Sequence, residues 1–502
     1  MFFPINYIRN SRLNLSFLSA ILLVLSQPPI SLFPLAYVAL TPLLLSLEQG
    51  KHRQNFLVGF ATGIMAYAGL VYWVVVAMNT YGGISIPLAI LILALLVLYL
   101  ALYVGLITWL GPWLEAFLKV PLYLSVPLLW VLTEYWRGWF LTGFPWSYVA
   151  HSQHNFVTMI QIASVTGTYF ISFLIVAINT LIFYLLSRKR VPLLFALFIV
   201  MAVIASLLFG YTRLKDRVGG TLKTAIIQGN ILQDMKWDEA FKLRTMETYS
   251  QLTVKEGGRV DLVIWPETAM PFVFEADPAR TLISALPEML STDLLFGTLF
   301  RDSQGRFYNS AYIFGRKGQF VGRYDKVHLV PFGEFTPLRD YFPFLEKISV
   351  ATGDFFSGDG HDPIATEFGK VGVLICYEGA FPYITVDTAR RDAQVLVNIT
   401  NDAWFGRSSA PFQHLAFYTF RAIETDRFVL RAANTGVSAI IDPRGRIIAR
   451  TNIFERTVLK GTFAMRDGQT FYVRHGDYFV LLCVIMLVGL IVRGLVGKKS
   501  RQ

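Results

Sequence analysis

Apolar residues run almost unbroken through the first two hundred positions, give way to short alternating segments, and return once near the end. A helix crossing ~30 Å of hydrocarbon needs about 20 apolar residues. Windows of that kind fall at roughly 12–27, 29–47, 55–78, 84–112, 120–139, 157–187, 191–212 and 475–496. The pattern predicts seven spans before residue 215 and an eighth at the end. Arg9 and Arg12 precede the first window as they would in a signal peptide. SQPPIS then follows in place of a small-residue cleavage site and a second apolar segment starts at once, so the first window reads as a retained helix.

From about 220 to 465 the period shortens. TLKTAIIQGN, RVDLVIWPET, TDLLFGTLF, SAYIFG, KVGVLICYE, AQVLVNITND and VSAIIDPRGRII are rich in β-branched residues and bounded by Gly, Asn, Asp or Pro, which predicts strands. Helical stretches separate several of them. One is SSAPFQHLAFYTFRAIETDRFVLRAANTG, with its Ser start, early Pro and terminal Asn-Thr-Gly. Strands alternating with helices predict a layered α/β unit whose functional groups sit where strands end. The expected organisation is a membrane domain of seven transmembrane helices at 1–215, an extracytoplasmic domain at 220–465, and a transmembrane helix with a cytoplasmic tail at 470–502.

Composition agrees with a membrane protein. Of 502 residues 54% are hydrophobic and 16% charged, and the mean hydropathy is +0.49; soluble domains carry about a quarter charged residues. The net charge of +11 is mostly a topology signal. Arg9, Arg12, Lys51, Arg53, Lys119, Arg188, Lys189, Arg190, Arg493, Lys498, Lys499 and Arg501 mark one set of helix ends, whereas SQPPIS, MNTYGGIS and GFPWSYVAHSQHN lack Lys and Arg. This asymmetry predicts cytoplasmic termini and argues against a nucleic-acid partner. In TEYWRGW, Glu134 and Arg137 share a helical face. They are expected as an interfacial pair beside Trp136 and Trp139, or as a polar lining for a lipid headgroup. The two cysteines, Cys376 and Cys483, are too far apart in character for a disulfide framework, and neither CxxC nor HExxH occurs.

Three strand ends carry chemistry. Glu267 follows LVIWP, Lys326 lies in GRYDKVHLVPFGEF with Glu334 eight residues on, and Cys376 closes VGVLI. Singly these read as a cap, a solvated lysine and a small buried hydrophobe. Together they offer what a thiol nucleophile needs: a base for its proton and a cation for the oxyanion formed at an attacked carbonyl.

WPET, YDKVHLVPFGE and ICYE resemble the three signature stretches of the nitrilase superfamily, which sets a Glu-Lys-Cys triad on an αββα sandwich. With the spans on either side, the whole chain is similar to the membrane-integrated branch of that superfamily that acylates bacterial lipoproteins. The fold so implied is a multi-span α-helical bundle plus a periplasmic α/β nitrilase-like αββα sandwich. The resemblance makes Cys376 the nucleophile, Glu267 the general base and Lys326 the oxyanion-stabilising cation. Glu334, Tyr377, Glu378, Trp237 in QDMKW and Glu424 in RAIETD become supporting or substrate-binding positions. It implies ping-pong transfer from a phospholipid donor, through a thioester on Cys376 and with release of lysophospholipid, to the N-terminal diacylglyceryl-cysteine of an apolipoprotein. No cofactor or metal is implied. The expected setting is the inner membrane, with the lipid bilayer as a further partner and the chain as a monomer. FTPLRDYFPFLEKISVATGDFF (335–356) reads either as a lid dipping into the leaflet or as a short helix packed on the sandwich.

Two other classes fit parts of the pattern. A tethered amidase or nitrilase would use the same triad with water as acceptor, and would release free fatty acid without acylated peptide. A transporter would leave charges and broken helices at mid-bilayer in paired halves, and these spans show no such repeat.

Overall fold

The structure, a computed structural model, describes residues 12–216, 218–233, 239–337, 339 and 355–499. The chain divides into two compact units. One comprises Met1–Val75, Ile86–Lys215 and His475–Gln502, the other Val76–Ser85 and Asp216–Arg474.

The first unit is helical: α1 (Arg12–Ser26), α2 (His52–Val71), α3 (Ile86–Leu118), α4 (Leu122–Arg137), α5 (Thr168–Leu186), α6 (Leu193–Lys215) and a C-terminal helix from Tyr478. Among the described residues α2, α3, α5, α6 and the C-terminal helix are long and apolar enough to cross a membrane. The windows expected at 12–27 and 120–139 become the shorter α1 and α4, of 15 and 16 residues. The window at 29–47 is split into Phe33–Leu35, Ala36–Ala39 and Thr41–Leu45. Pro34 and Pro42, each at the first or second position of its turn, start new segments because proline has no N–H to continue an old one. Leu193, Leu194, Leu208, Ile485 and Val496 stand exposed, which suits contact with lipid and not with water. Helix α2 lies close on α3 because a Cβ on Gly63 would come within 2.7 Å of the Ala101 Cα.

Glu134 and Arg137 turn inward, away from their tryptophan neighbours. Both are buried within the first unit while Trp136 and Trp139 are exposed. Glu134 accepts from Trp130 Nε1 at 2.9 Å and from the Val149 N–H at 2.8 Å. Arg137 bonds the Tyr67 hydroxyl and lies over the rings of Tyr67 and Tyr148, 5.3 and 5.0 Å from their centres.

The second unit is a sandwich of two six-stranded sheets. The first has the order β12-β1-β2-β3-β4-β5, with β1 (Leu222–Gln228), β2 (Leu262–Ile264), β3 (Asp293–Arg301), β4 (Phe307–Phe314), β5 (Phe320–Asp325) and β12 (Thr457–Phe463). The second has the order β11-β10-β9-β8-β7-β6, with β6 (Ile364–Thr366), β7 (Gly369–Ile375), β8 (Val395–Thr400), β9 (Val429–Ala433), β10 (Ala439–Ile441) and β11 (Ile447–Arg450). In each sheet the three central strands, β1-β2-β3 and β7-β8-β9, run parallel.

The period of two sorts the side chains into layers. Ile226, Leu262, Ile264 and Leu295 face Val373, Ile375, Val397 and Ile399 of the other sheet in a core between the two. Their neighbours Ile227, Val263, Leu294 and Phe296 form a second core on the outer face, where α7 (Glu239–Glu256) and α8 (Arg280–Leu290) pack. Helices α9 (Pro382–Arg390) and α10 (Ala410–Thr425) cover the outer face of the second sheet. The layers are therefore α, β, β, α, and the C-terminal ends of β2, β5, β7 and β8 supply the groups that follow.

Candidate active site

Each chemical group occupies the first loop residues after a strand. Strand β2 ends at Ile264, and Trp265, fully buried with its Nε1 bonded to Thr253 Oγ1 at 2.8 Å, anchors the turn that presents Glu267. That turn lies flat on β3, where a Cβ on Gly297 would come within 2.7 Å of the Glu267 Cα; only glycine leaves the room. Strand β5 ends at Asp325, and the next residue, Lys326, donates its N–H to the Asn309 carbonyl at 2.8 Å. This pairing sets the Asn309 and Lys326 side chains beside each other.

The three charged groups meet there. Lys326 Nζ lies 2.8 Å from Glu334 Oε2 and 3.7 Å from Glu267 Oε1. Asn309 Nδ2 donates to both carboxylates, at 2.7 Å to Glu267 and 2.9 Å to Glu334. The Asn401 N–H, from the end of β8 in the opposite sheet, donates to Glu267 Oε2 at 2.8 Å. The Val330 N–H donates to Glu334 Oε2 at 2.8 Å. Burial alone would pull the Lys326 ammonium down, but Glu334 and Glu267 outweigh it and hold Lys326 well above the ordinary lysine range. The lysine, 1% exposed, is thus a permanent cation.

Cys376 begins the turn after β7 with φ +53°, a left-handed conformation that costs a non-glycine residue about 1–3 kcal/mol. Its thiol takes a side-chain hydrogen bond with Thr400. Burial, and then the charge of Glu267, push the thiol well above the ordinary cysteine range, while Lys326 acts against them. The resting group at neutral pH is therefore the protonated thiol, and a thiolate arises only as its proton is taken.

Glu378 is fully buried and does not join that cluster. Its Oε2 accepts the Ile375 N–H at 2.7 Å, and its Oε1 accepts the Val327 N–H at 2.8 Å, the His328 N–H at 3.1 Å and the Tyr324 hydroxyl at 2.9 Å. It ties the residue before the cysteine to the segment just after the lysine. Burial pushes its carboxyl up from the ordinary range, and the backbone donors work against that. Tyr377 packs edge-on against Phe381, 4.9 Å between ring centres, beside His328. Burial, and then Lys326, lower His328 to about 4.

Glu424 is not brought to the cluster. It pairs with Arg421 at 2.9 Å in the last turn of α10. Trp237 lies outside the described residues, as does most of 335–356; at the far end of that stretch the Phe355 N–H donates to the Glu334 carbonyl at 2.9 Å.

Sequence reading missed Asn309, Asn401, Asp402 and His414. The available signal was faint: an Asn in the alternating strand FYNSAYIF, and an Asn-Asp pair closing VLVNIT. Among the described residues no set of His, Cys, Asp and Glu could hold a metal ion. The arrangement can deprotonate a thiol, stabilise an oxyanion with an ammonium, and return the proton to a leaving group.

Two family models and several curated relatives match this chain. Residues 223–471 match the family model for carbon-nitrogen hydrolases, and residues 19–181 match that for the apolipoprotein N-acyltransferase N-terminal domain. An apolipoprotein N-acyltransferase of Geobacter metallireducens is 39% identical over 93% of this chain and 92% of its own length. One of Azotobacter vinelandii is 35% identical over 93% of this chain and 92% of its own. A solved structure, Saccharomyces cerevisiae Nit3 of the nitrilase superfamily, is 20% identical with a TM-score of 0.39, covering 48% of this chain and 90% of that one.

Proposed function

The chain belongs to the apolipoprotein N-acyltransferase family, and on that premise we propose that it moves an acyl chain from a phospholipid to the N-terminal α-amine of a diacylated apolipoprotein, through a thioester on Cys376. The observation that carries this reading is the meeting of Glu267, Lys326 and Glu334 around one buried ammonium, with Cys376 under the influence of both Glu267 and Lys326.

In the first half-reaction Glu267 takes the thiol proton as sulfur bonds to the ester carbonyl carbon. The carbonyl oxygen gains the negative charge, and Lys326 Nζ donates to it, a contribution of about 3–4 kcal/mol to lowering the barrier. The ester C–O bond then breaks, and the proton held by Glu267 passes to the glycerol oxygen, which leaves as lysophospholipid. In the second half-reaction Glu267 relieves the incoming α-amino group of its proton. Nitrogen bonds to the thioester carbon, the C–S bond breaks, and the sulfur leaves as thiolate to be reprotonated. A thiolate leaves more readily than an alkoxide, so the intermediate can still acylate an amine.

Both substrates carry acyl chains whose exposure to water costs ~0.8 kcal/mol per CH₂, which gives the apolar helices their purpose. The same reading puts the enzyme in the bacterial inner membrane with both termini cytoplasmic and residues 220–465 in the periplasm, supported by the run of Lys and Arg along one set of helix ends. Mass spectrometry of the full-length protein after incubation with phospholipid tests it. A gain of one acyl chain on the peptide containing Cys376, discharged by a diacylated lipopeptide, is the expected result. Free fatty acid with no acylated lipopeptide would overturn it.

A further inference from the structure

The carbonyl oxygen of Cys376 receives two donors from one face of α10. His414 Nε2 lies 3.1 Å from it and the Tyr418 hydroxyl 3.1 Å. A backbone carbonyl only accepts, so both side chains donate. The two residues are one helical turn apart and fully buried. Behind His414 stands a charged support. Its Nδ1 is 3.0 Å from Asp402 Oδ1 and 3.2 Å from Arg431 Nη2, while Arg431 Nη2 also bonds Asp402 Oδ2 at 2.7 Å. Arg431 continues to the Asn398 side chain, and to the Val437 carbonyl at 3.1 Å. Burial would raise Asp402, but Arg431 outweighs it and Asp402 stands at about 2, so it is ionised. Burial, and then Arg431, hold the imidazole below its ordinary value.

None of these groups takes part in the acyl-transfer steps above. A buried arginine, aspartate and histidine beneath a single backbone carbonyl are costly to desolvate, and apolar packing could fill the same volume. The cysteine they hold is the strained one, at φ +53°. Such a conformation persists only where its surroundings over-determine it. Glu378 fixes the chain on the N-terminal side of Cys376, at the Ile375 N–H. His414 and Tyr418 fix it on the C-terminal side, at its own carbonyl. Because the peptide is planar and trans, holding that oxygen also sets the direction of the Tyr377 N–H.

We propose that His414 and Tyr418 are positioning residues for acyl transfer: two donors on one turn of α10 grip the Cys376 carbonyl and keep the thiol in the left-handed conformation from which it attacks. The proposal rests on the reading of Cys376 as the nucleophile.

The test uses the full-length protein in detergent micelles with phospholipid, following acylation of Cys376 by rapid quench and mass spectrometry. Tyr418→Phe and His414→Ala are each expected to slow acylation about tenfold, and the double variant about a hundredfold, with KM for phospholipid unchanged. His414→Gln, which keeps an N–H donor of similar reach, should recover most of the rate. A role confined to holding the fold would instead lower the yield of folded protein and leave the folded fraction working at the wild-type rate; that result overturns the proposal. Equal losses in His414→Gln and His414→Ala overturn the donor role. Should the double variant fail to fold, Tyr418→Phe, which loses one hydroxyl, decides alone, and an unchanged rate sinks the idea. Wild-type protein carrying no acyl group on Cys376 would overturn the underlying reading and this proposal with it, and that failure is visible without any variant.

Discussion

Glu378→Gln is a sharp perturbation because the carboxylate divides its work unequally. With the amide oxygen in the Oε1 position the variant keeps the bonds from Val327, His328 and Tyr324, and turns its NH₂ toward the Ile375 N–H, 2.7 Å from the former Oε2. The opposite rotamer would keep the Ile375 bond, reverse the Tyr324 bond and lose the two from Val327 and His328. The favoured form therefore loses one charge-assisted bond, about 1.5–3 kcal/mol, and opposes two donors in a buried space, about 1–3 kcal/mol more. Burial disfavours the native charge, so its removal returns part of this, and a net loss of about 2–3 kcal/mol is expected. The damage falls on Ile375, whose neighbour is Cys376, the proposed nucleophile. A displacement of about 1 Å there should slow acylation roughly a hundredfold. Thermal unfolding in detergent and rapid-quench acylation of Cys376 read the two effects separately. Wild-type acylation in a destabilised protein would refute the claim that this bond places the sulfur. Unchanged stability would refute the hydrogen-bond reasoning itself.

Glu267→Gln should abolish acyl transfer and yet ease ionisation of Cys376, because the Glu267 charge pushes the thiol up. The pH profile of alkylation by iodoacetamide is expected to move to lower pH, and a profile unmoved or moved upward contradicts the assigned electrostatics. Lys326→Met should move that profile the other way and remove turnover, read by the same assay with the lipopeptide product measured alongside. His328 has a folded value of about 4 against 6.5 unfolded, so its contribution is fully present above 6.5 and is lost as pH falls toward 4. That loss is at most about 3 kcal/mol, and it should vanish from the acid unfolding curve of His328→Phe. Gly63→Leu would drive a side chain into the Ala101 backbone and should cost about 1–3 kcal/mol or more through overpacking of α2 on α3, seen as a lower melting temperature in detergent.

The strand ends were legible because each couples an apolar run to an abrupt change of chemistry, as in VLICYE and VIWPET. What could not be read were partners remote in sequence: Asn401 meets Glu267 across 134 positions, and His414 meets Cys376 across 38. Only sheet register and helix docking bring them together. Glu378 carried a family position in the sequence, but three of its four donors come from 324–328, some fifty positions away. Hydropathy located the apolar windows but not their breaks. At 29–47 the prolines divide one window into short turns, and Glu134 and Arg137 are buried, with the Arg137 guanidinium over the rings of Tyr67 and Tyr148.

Cys376, the proposed nucleophile, hangs from one sheet, whereas Glu267 and Lys326, its proposed base and cation, hang from the other. A chain whose layers have parted therefore owns a sulfur but no means of arming it. On the proposed reading reactivity needs both sheets in place, so a damaged molecule falls chemically silent among the lipids that surround it.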